Sequence, residues 1–391
     1  MPIGYVASTA LLTWCTFFGV VAPRRPRLLA NLSFWFGMVL NEVPIIGILA
    51  VLASTALAEG QGDLETTGSK VTAVIALATI PFMAVAAWRG LRAGGVVARA
   101  VDEGLGTGWR SRVTEPQRRR DWPRLLLLRR VSRYLDVKRV ANLSYGEAGR
   151  RNLLDVYHRR DTPPNAPVLI YFHGGHFTSG GKSREARPLL YRLARQGWVC
   201  ISANYRLRPE TDFPGHQIDA KKAMAWAREH ASEYGADASK LFLAGSSAGS
   251  NMAAMCALTP NDPQYQPGFE SADTSVTAAI CLYGFYGYFF GTEPDVPPSS
   301  NQPYAYLNPA APPFFIAHGT KDALATVEGA RCFVDRLRRV TGSPVVYAEL
   351  PGAQHAFDLF HSARTEAVVD GVEGFASWVL ATSGRAPDPA L

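Results

Sequence analysis

Ser247 sits at the centre of Gly245-Ser246-Ser247-Ala248-Gly249. The segment before it, Leu241-Phe242-Leu243-Ala244, is apolar and short, and residues 248–258 read as a helix. Between a strand and a helix, Gly-x-Ser-x-Gly forms a sharp turn that lifts one hydroxyl clear of the backbone. The amide of Ala248 and the helix start face the same spot and suit a developing negative charge. Such a hydroxyl becomes a nucleophile when a base takes its proton and an acid orients the base. Later strands supply both, in the chain order Ser, acid, His. The apolar run Phe314-Phe315-Ile316-Ala317 leads into a loop carrying Asp322, and the run 345–350 leads into a loop carrying His355. Of the eight histidines, only His355 and His361 follow the last strand, and His355 lies nearer its end. Asp358 is a rival acid, but its place just past His355 suits a helix start better. The candidate catalytic set is Ser247, Asp322 and His355.

A second strand, 168–172, runs into His173-Gly174-Gly175-His176-Phe177. Small residues there let backbone amides approach a substrate oxygen. Gly174, Gly175 and His176, with Ala248, are the candidate oxyanion donors. His173 is expected to brace the loop, and Ser246 and Ser250 to serve the turn and the helix. No cluster of His, Asp or Glu accompanies His173 and His176 at metal-ligand spacing, so neither metal nor cofactor is expected.

These loops need a sheet to hold them. Apolar runs at 143–145 and 153–157, parted by Gly146-Glu147-Ala148-Gly149, predict an antiparallel opening hairpin. Strands follow at 168–172, 198–204, 241–244, 278–283, 314–317 and 345–349, and helices at 183–196, 220–234, 248–258, 326–340 and 364–380. This alternation predicts an α/β domain over 137–384 with a mostly parallel eight-stranded sheet and helices on both faces. Residues 385–391 are a tail. Ligands of such sheets bind beyond the carboxyl ends of the strands, where all three candidate residues fall.

The first third reads differently. Residues 1–22 contain no charge and end at Pro23-Arg24-Arg25-Pro26-Arg27. The positive charge follows the apolar run instead of preceding it, which favours an anchor over a cleaved leader. Residues 28–58 are apolar except for Asn41-Glu42-Val43-Pro44, and predict one kinked or tilted span with Glu42 near the interface. Residues 71–88 form a third run, ending at Trp88 and Arg89. Residues 1–90 are therefore expected to be a region of about three spans. Residues 91–136 are expected to be a basic linker, either solvated or with Trp109, Trp122 and Leu125 to Leu128 dipping into the interface. Between residues 89 and 139 lie fourteen Lys/Arg against five Asp/Glu, whereas the loop near 59–70 is acidic. The excess of cations after the third run predicts a multi-pass membrane protein with its catalytic domain in the cytoplasm.

The net charge of +7 comes from that one segment, so a nucleic-acid partner is not expected. At 47% hydrophobic and 19% charged, the 391-residue chain excludes disorder as its dominant state. Five cysteines, mostly in apolar stretches, fit buried reduced thiols and no disulfide framework.

On these motifs, together with Asn204-Tyr205-Arg206-Leu207-Arg208-Pro209, Phe213-Pro214 before Asp219, His318 to Asp322 and Gly352 to His355, the sequence resembles the hormone-sensitive-lipase-like carboxylesterases of the α/β-hydrolase fold. It is especially similar to the membrane- or envelope-associated type of actinobacteria. The resemblance covers roughly 137–384. His176 stands where the family usually has the third glycine of its oxyanion loop, and Ser246 where many relatives carry an acid. The resemblance implies a serine esterase acting through an acyl-enzyme, with Arg206 and Asp219 as a structural pair. It implies a small-molecule or lipid ester as substrate. Pro-rich and aromatic loops at 259–277 and 284–313, with Phe285, Tyr286, Tyr288, Phe289 and Phe290, either line the site or belong to the core. No large cap is evident, which favours short to medium acyl chains. An amidase or formamidase on the same site, and a non-catalytic receptor of the same fold, remain the alternatives.

Overall fold

The computed structural model describes residues 2–113, 136–287 and 300–383. Four helices come first: α1 (Ile3–Val20), α2 (Arg27–Glu42), α3 (Pro44–Gly60) and α4 (Thr67–Leu105). Helices α1 and α4 are long and apolar enough to cross a membrane. Side-chain hydroxyls tie the bundle together, Tyr5 to Thr55 and Thr13 to Thr79, both at 3.0 Å.

The run 28–58, expected as one kinked span, is two helices bent by 84° at Val43-Pro44. Proline lacks the amide that would continue α2, and it serves instead as the first residue of α3. Glu42, expected near an interface, is buried at the end of α2. Its carboxylate is bonded to the Arg364 guanidinium and accepts from Ser362 Oγ at 2.8 Å.

Helix α4 also departs from expectation. It does not stop at Trp88 but continues for another four turns and more. Beyond Arg89 the residues Ala93, Val97, Ala100, Val101 and Leu105 recur at helical spacing and enter the main core. Part of the expected linker 91–136 is therefore a packed helix. Trp109, expected in a linker or at an interface, is buried and donates to Asp102 at 2.7 Å. Trp122 and Leu125 to Leu128 lie outside the described residues.

The sheet runs β1-β2-β4-β3-β5-β6-β7-β8. β1 (Val137–Ser144) and β2 (Leu153–Arg159) form the antiparallel hairpin, and β2 is antiparallel to β4 (Val199–Ala203). The pairings from β4 through β3 (Ala166–Phe172), β5 (Ala236–Ser246), β6 (Ala278–Leu282), β7 (Phe314–Gly319) and β8 (Val345–Leu350) are parallel. The sheet is thus mixed with a parallel majority.

Among the described residues of this part there are five helices, α5 (Arg187–Arg195), α6 (Gly215–His230), α7 (Ala248–Leu258), α8 (Val327–Val340) and α9 (Ala363–Thr382). They cover both faces, so central strands are apolar on both sides. Leu169 and Tyr171 of β3 join the core under α5, α9 and the end of α4. Val168, Ile170 and Phe172 join the core under α6 and α7. Cys200, Cys256 and Cys281 are buried free thiols within these layers.

Breaking the Glu42–Arg364 pair from one side leaves a charge buried without its partner, which costs about 3–5 kcal/mol. Glu42→Leu is therefore expected to lower the thermal midpoint of the detergent-solubilised protein sharply, and the double variant Glu42→Leu/Arg364→Met to lower it less. A smaller loss in the single variant than in the double would refute the pairing.

Candidate active site

The end of β5 turns into α7 within one residue. Ser247 occupies that turn at φ 53° and ψ −116°, a conformation a serine adopts only when its surroundings enforce it. The flanking glycines make this possible. A Cβ on Gly245 would lie 2.1 Å from Gly249 O, and one on Gly249 would lie 2.0 Å from Phe172 O. The Ser247 amide donates to Leu282 O at 2.9 Å, tying the turn to the end of β6.

Asp322 follows β7 and His355 follows β8. His355 Nδ1 lies 2.7 Å from Asp322 Oδ2, and His355 Nε2 lies 2.9 Å from Ser247 Oγ. Asp322 is fully buried. Burial opposes its charge, but His355, His318 and their hydrogen bonds outweigh it and hold the carboxyl well below the usual carboxylate range. Its second oxygen accepts from the amides of Leu324 and Ala325, at 2.9 and 2.8 Å. The acid is therefore fixed and ionised. Gln354, which the spacing of motifs does not single out, accepts from the amides of Ala323 and His355 at 2.7 and 3.0 Å. One side chain thus locks the acid loop to the histidine loop.

Of the four candidate oxyanion donors, Gly174 is engaged elsewhere: its amide donates to Glu185 Oε2 at 2.6 Å. The amides of Gly175 and Ala248 meet no acceptor among the described residues. Gly175, His176 and Ala248 line the same cavity as Ser247 and His355. His173 lies beneath, stacked on Tyr205 at 4.4 Å with Nδ1 2.7 Å from Gly174 O. Burial pushes its imidazole down to about 4, so it stays neutral and braces the loop. Arg206 and Asp219 form a two-point ion pair, closed further by the Arg206 amide donating to Asp219 Oδ2 at 2.9 Å.

The rival residues are placed apart. His361 pairs with Glu366. Asp358 bonds the Tyr283 hydroxyl and accepts from Ser246 Oγ at 3.1 Å. Tyr171 OH completes the group, lying 2.8 Å from Ser246 Oγ and 3.2 Å from Glu185 Oε2. Burial, and then the neighbouring Glu185, push the Asp358 carboxyl up to about 7. Among the described residues no cluster could hold a metal ion.

The cavity beside Ser247 measures about 350 Å³. Phe285 lines it, whereas Tyr286 belongs to the core, stacked on Phe333 at 4.4 Å. Tyr288, Phe289 and Phe290 lie outside the described residues. Two lining residues come from an unexpected quarter: Phe34 and Trp35 of α2. The Phe34 ring meets the His355 imidazole edge-on at 6.0 Å, and Tyr283 meets it from another side at 4.8 Å.

A strand-turn-helix serine, bonded to a histidine that is bonded to a buried aspartate, on a mixed eight-stranded sheet, invites comparison with known hydrolases. The chain is 38% identical to the probable carboxylic ester hydrolase LipM of Mycobacterium tuberculosis, over 98% of this chain and 95% of that one. It belongs to the hormone-sensitive-lipase-like α/β-hydrolase esterases. This esterase is also 40% identical to esterase LipQ of the same organism, covering 60% of this chain and 61% of the other. The BD-FAE family profile matches residues 154–289. Among solved structures, the butyrate-bound esterase of the Planctomycetes species Thermogutta terrifontis matches with a TM-score of 0.53 and 25% identity. That match covers 60% of this chain and 92% of that one. The esterase is a carboxylic ester hydrolase, as these relatives are named.

The folded esterase holds the Asp358 proton more tightly than the unfolded chain does. Its contribution is therefore complete below about pH 4 and is lost as pH rises through about 7. Asp358→Asn is expected to flatten the fall of the thermal midpoint across that window. A slope unchanged in the variant would contradict this placement.

Proposed function

We propose that the esterase hydrolyses short- to medium-chain carboxylic esters through an acyl-enzyme on Ser247. The reading rests on one observation: His355 lies within hydrogen-bond distance of both Ser247 Oγ and Asp322. In the proposed reaction, His355 Nε2 takes the Ser247 proton as Oγ attacks the ester carbonyl. The oxygen that becomes negative is met by the amides of Gly175, His176 and Ala248, while Gly174 is held to Glu185. The alcohol then leaves with the proton from His355. A water, deprotonated by the same imidazole, releases the acid and restores Ser247. Asp322 stays ionised throughout and stabilises the imidazolium. A cavity of about 350 Å³ is near the lower end of ligand sites and supports a modest acyl group.

Residues 137–384 are proposed as the catalytic domain, anchored by the helices before it. Helix α3, with 17 residues, is at the short limit for a span and, with α1 and α4, makes three. The loop between α3 and α4 carries Glu59, Asp63 and Glu65, whereas Arg24, Arg25 and Arg27 follow α1 and Arg89 and Arg92 follow the apolar run of α4, with Arg24 bonded to Thr320 O and Arg89 against Gly352 of the hydrolase. The positive-inside rule then supports a cytoplasmic catalytic domain and an external N-terminus.

Ser247→Ala is expected to lower kcat about a million-fold and to abolish fluorophosphonate labelling. Labelling that persists in the variant would move the nucleophile elsewhere. Asp322→Asn should lower kcat about ten-thousandfold, because the imidazole then adopts the wrong tautomer. Asp358→Asn should cost far less, and the reverse ranking would transfer the acid role. Protease added to intact cells is expected to spare the catalytic domain, and its removal without lysis would invert the topology.

A further inference from the structure

Helix α2 is built into the active site. Asn41 Nδ2 donates to Gly352 O at 2.8 Å, on the loop that carries His355. The Arg364 guanidinium bridges Glu42 and Pro351 O on that same loop. On the acid side, Arg24 bonds Thr320 O, and Lys321 Nζ donates to Val21 O at 3.3 Å. Phe34 and Trp35 then form a wall of the cavity.

The outer face of α2 has the opposite character. Leu28, Trp35 and Val39 are 68%, 65% and 42% exposed. Spaced by seven and four residues, they form one stripe along the helix. Because α2 and α3 meet at 84°, only one of them can lie along a bilayer normal. Helix α2 has the features of the one that lies flat. Its 16 residues make it about 24 Å long, its N-terminal flank carries the exposed Arg25 and Arg27, and its inner face is fastened to the hydrolase. Helix α4 shows Trp88, 55% exposed, with the Arg92 guanidinium 4.6 Å over its ring, next to Arg89, which donates to Val20 O at the end of α1. Trp35 therefore belongs both to the lipid-facing stripe and to the wall of the cavity.

We infer that the substrate is a bilayer-resident lipid ester, which reaches Ser247 along the Leu28–Trp35–Val39 stripe with its acyl group entering the cavity between Phe34 and Trp35. The remainder of the lipid stays among its neighbours. The C–O bond to the lipid alcohol breaks as Ser247 Oγ takes the acyl group, the alcohol leaves with the His355 proton, and water releases the carboxylic acid. This deepens the esterase and membrane-anchor readings above and rests on them.

The test compares two esters with the same acyl group. Hexadecyl butyrate is dispersed in phosphatidylglycerol/phosphatidylcholine vesicles that carry the reconstituted full chain, and ethyl butyrate is added from water. Butyrate release is measured for wild type, Trp35→Ser and Phe34→Ala. Trp35 is largely exposed, so its replacement leaves the fold intact, and the thermal midpoint checks this. The ratio of kcat/KM for hexadecyl butyrate to that for ethyl butyrate is expected to fall about tenfold in Trp35→Ser, which loses the central contact of the stripe, and to hold in Phe34→Ala, whose contact with the shared butyryl group cancels in the ratio. A ratio unchanged in Trp35→Ser, or one that falls as far in Phe34→Ala, overturns the inference, and so does a wild-type protein that cleaves only ethyl butyrate. If wild type cleaves neither ester and resists fluorophosphonate, the esterase reading itself fails. If it cleaves both but is not retained by vesicles, the anchor reading fails.

Discussion

Everything in the site depends on where the loop after β8 is held. An imidazole shared between a serine and an aspartate works only within narrow limits of distance and direction, and loops do not keep such limits unaided. Here the loop is fixed from three sides. Gln354 bonds it to the acid loop, Thr320 Oγ1 accepts from the Gly352 amide at 2.8 Å, and Asn41 reaches in from α2. Gly352 itself has φ 65°, and a Cβ there would meet the Arg89 side chain at 2.6 Å. The histidine that serves the hydrolase is therefore positioned partly by the apolar helices that precede it.

A second layer supports the turn at Ser247 from below. Glu185, Tyr171, Ser246, Asp358 and Tyr283 form a buried chain of hydrogen bonds under the elbow. Two carboxyls share this apolar space, and burying both as anions would be prohibitive, so one is pushed toward its neutral form. The cost is offset by what the network positions. Glu185 claims the Gly174 amide, so that in the proposed reaction the next amides along the loop would meet the substrate oxygen.

The sheet was readable because each strand is a short apolar run bounded by turn residues, and the alternation with helices dictates the crossovers. The three residues Ser247, Asp322 and His355 could be read because each stands just past a strand end. What sequence patterning did not reveal is chiefly contact between side chains that no local motif links. Phe34 looks like one more apolar residue in an apolar run until it is seen beside His355. Glu42 has no visible partner because Arg364 lies 322 residues away. Gly174 could be assigned to a glycine loop, but the acceptor that claims its amide is Glu185, which no local pattern reveals. The extension of α4 was legible in principle, since Ala93, Val97, Ala100, Val101 and Leu105 keep a helical period. Arg99, Asp102 and Glu103, interspersed among them, mask that period, although charged side chains on the outer face are compatible with a buried inner one.

Helix α4 carries one further consequence. At 39 residues it is about 58 Å of continuous backbone, running from the apolar bundle into the hydrolase core. Gly104 passes so close to β8 that a Cβ there would lie 2.7 Å from Val346. If the apolar helices anchor the chain as proposed, this packing would hold Ser247 at a constant height and tilt over the lipid surface. Catalysis on such a substrate would then be a two-dimensional problem. For a bilayer ester reached as inferred, the rate would follow the mole fraction of ester in the surrounding lipid, and dilution of that lipid with inert neighbours would slow the enzyme even when the amount of substrate per volume of cell stays the same.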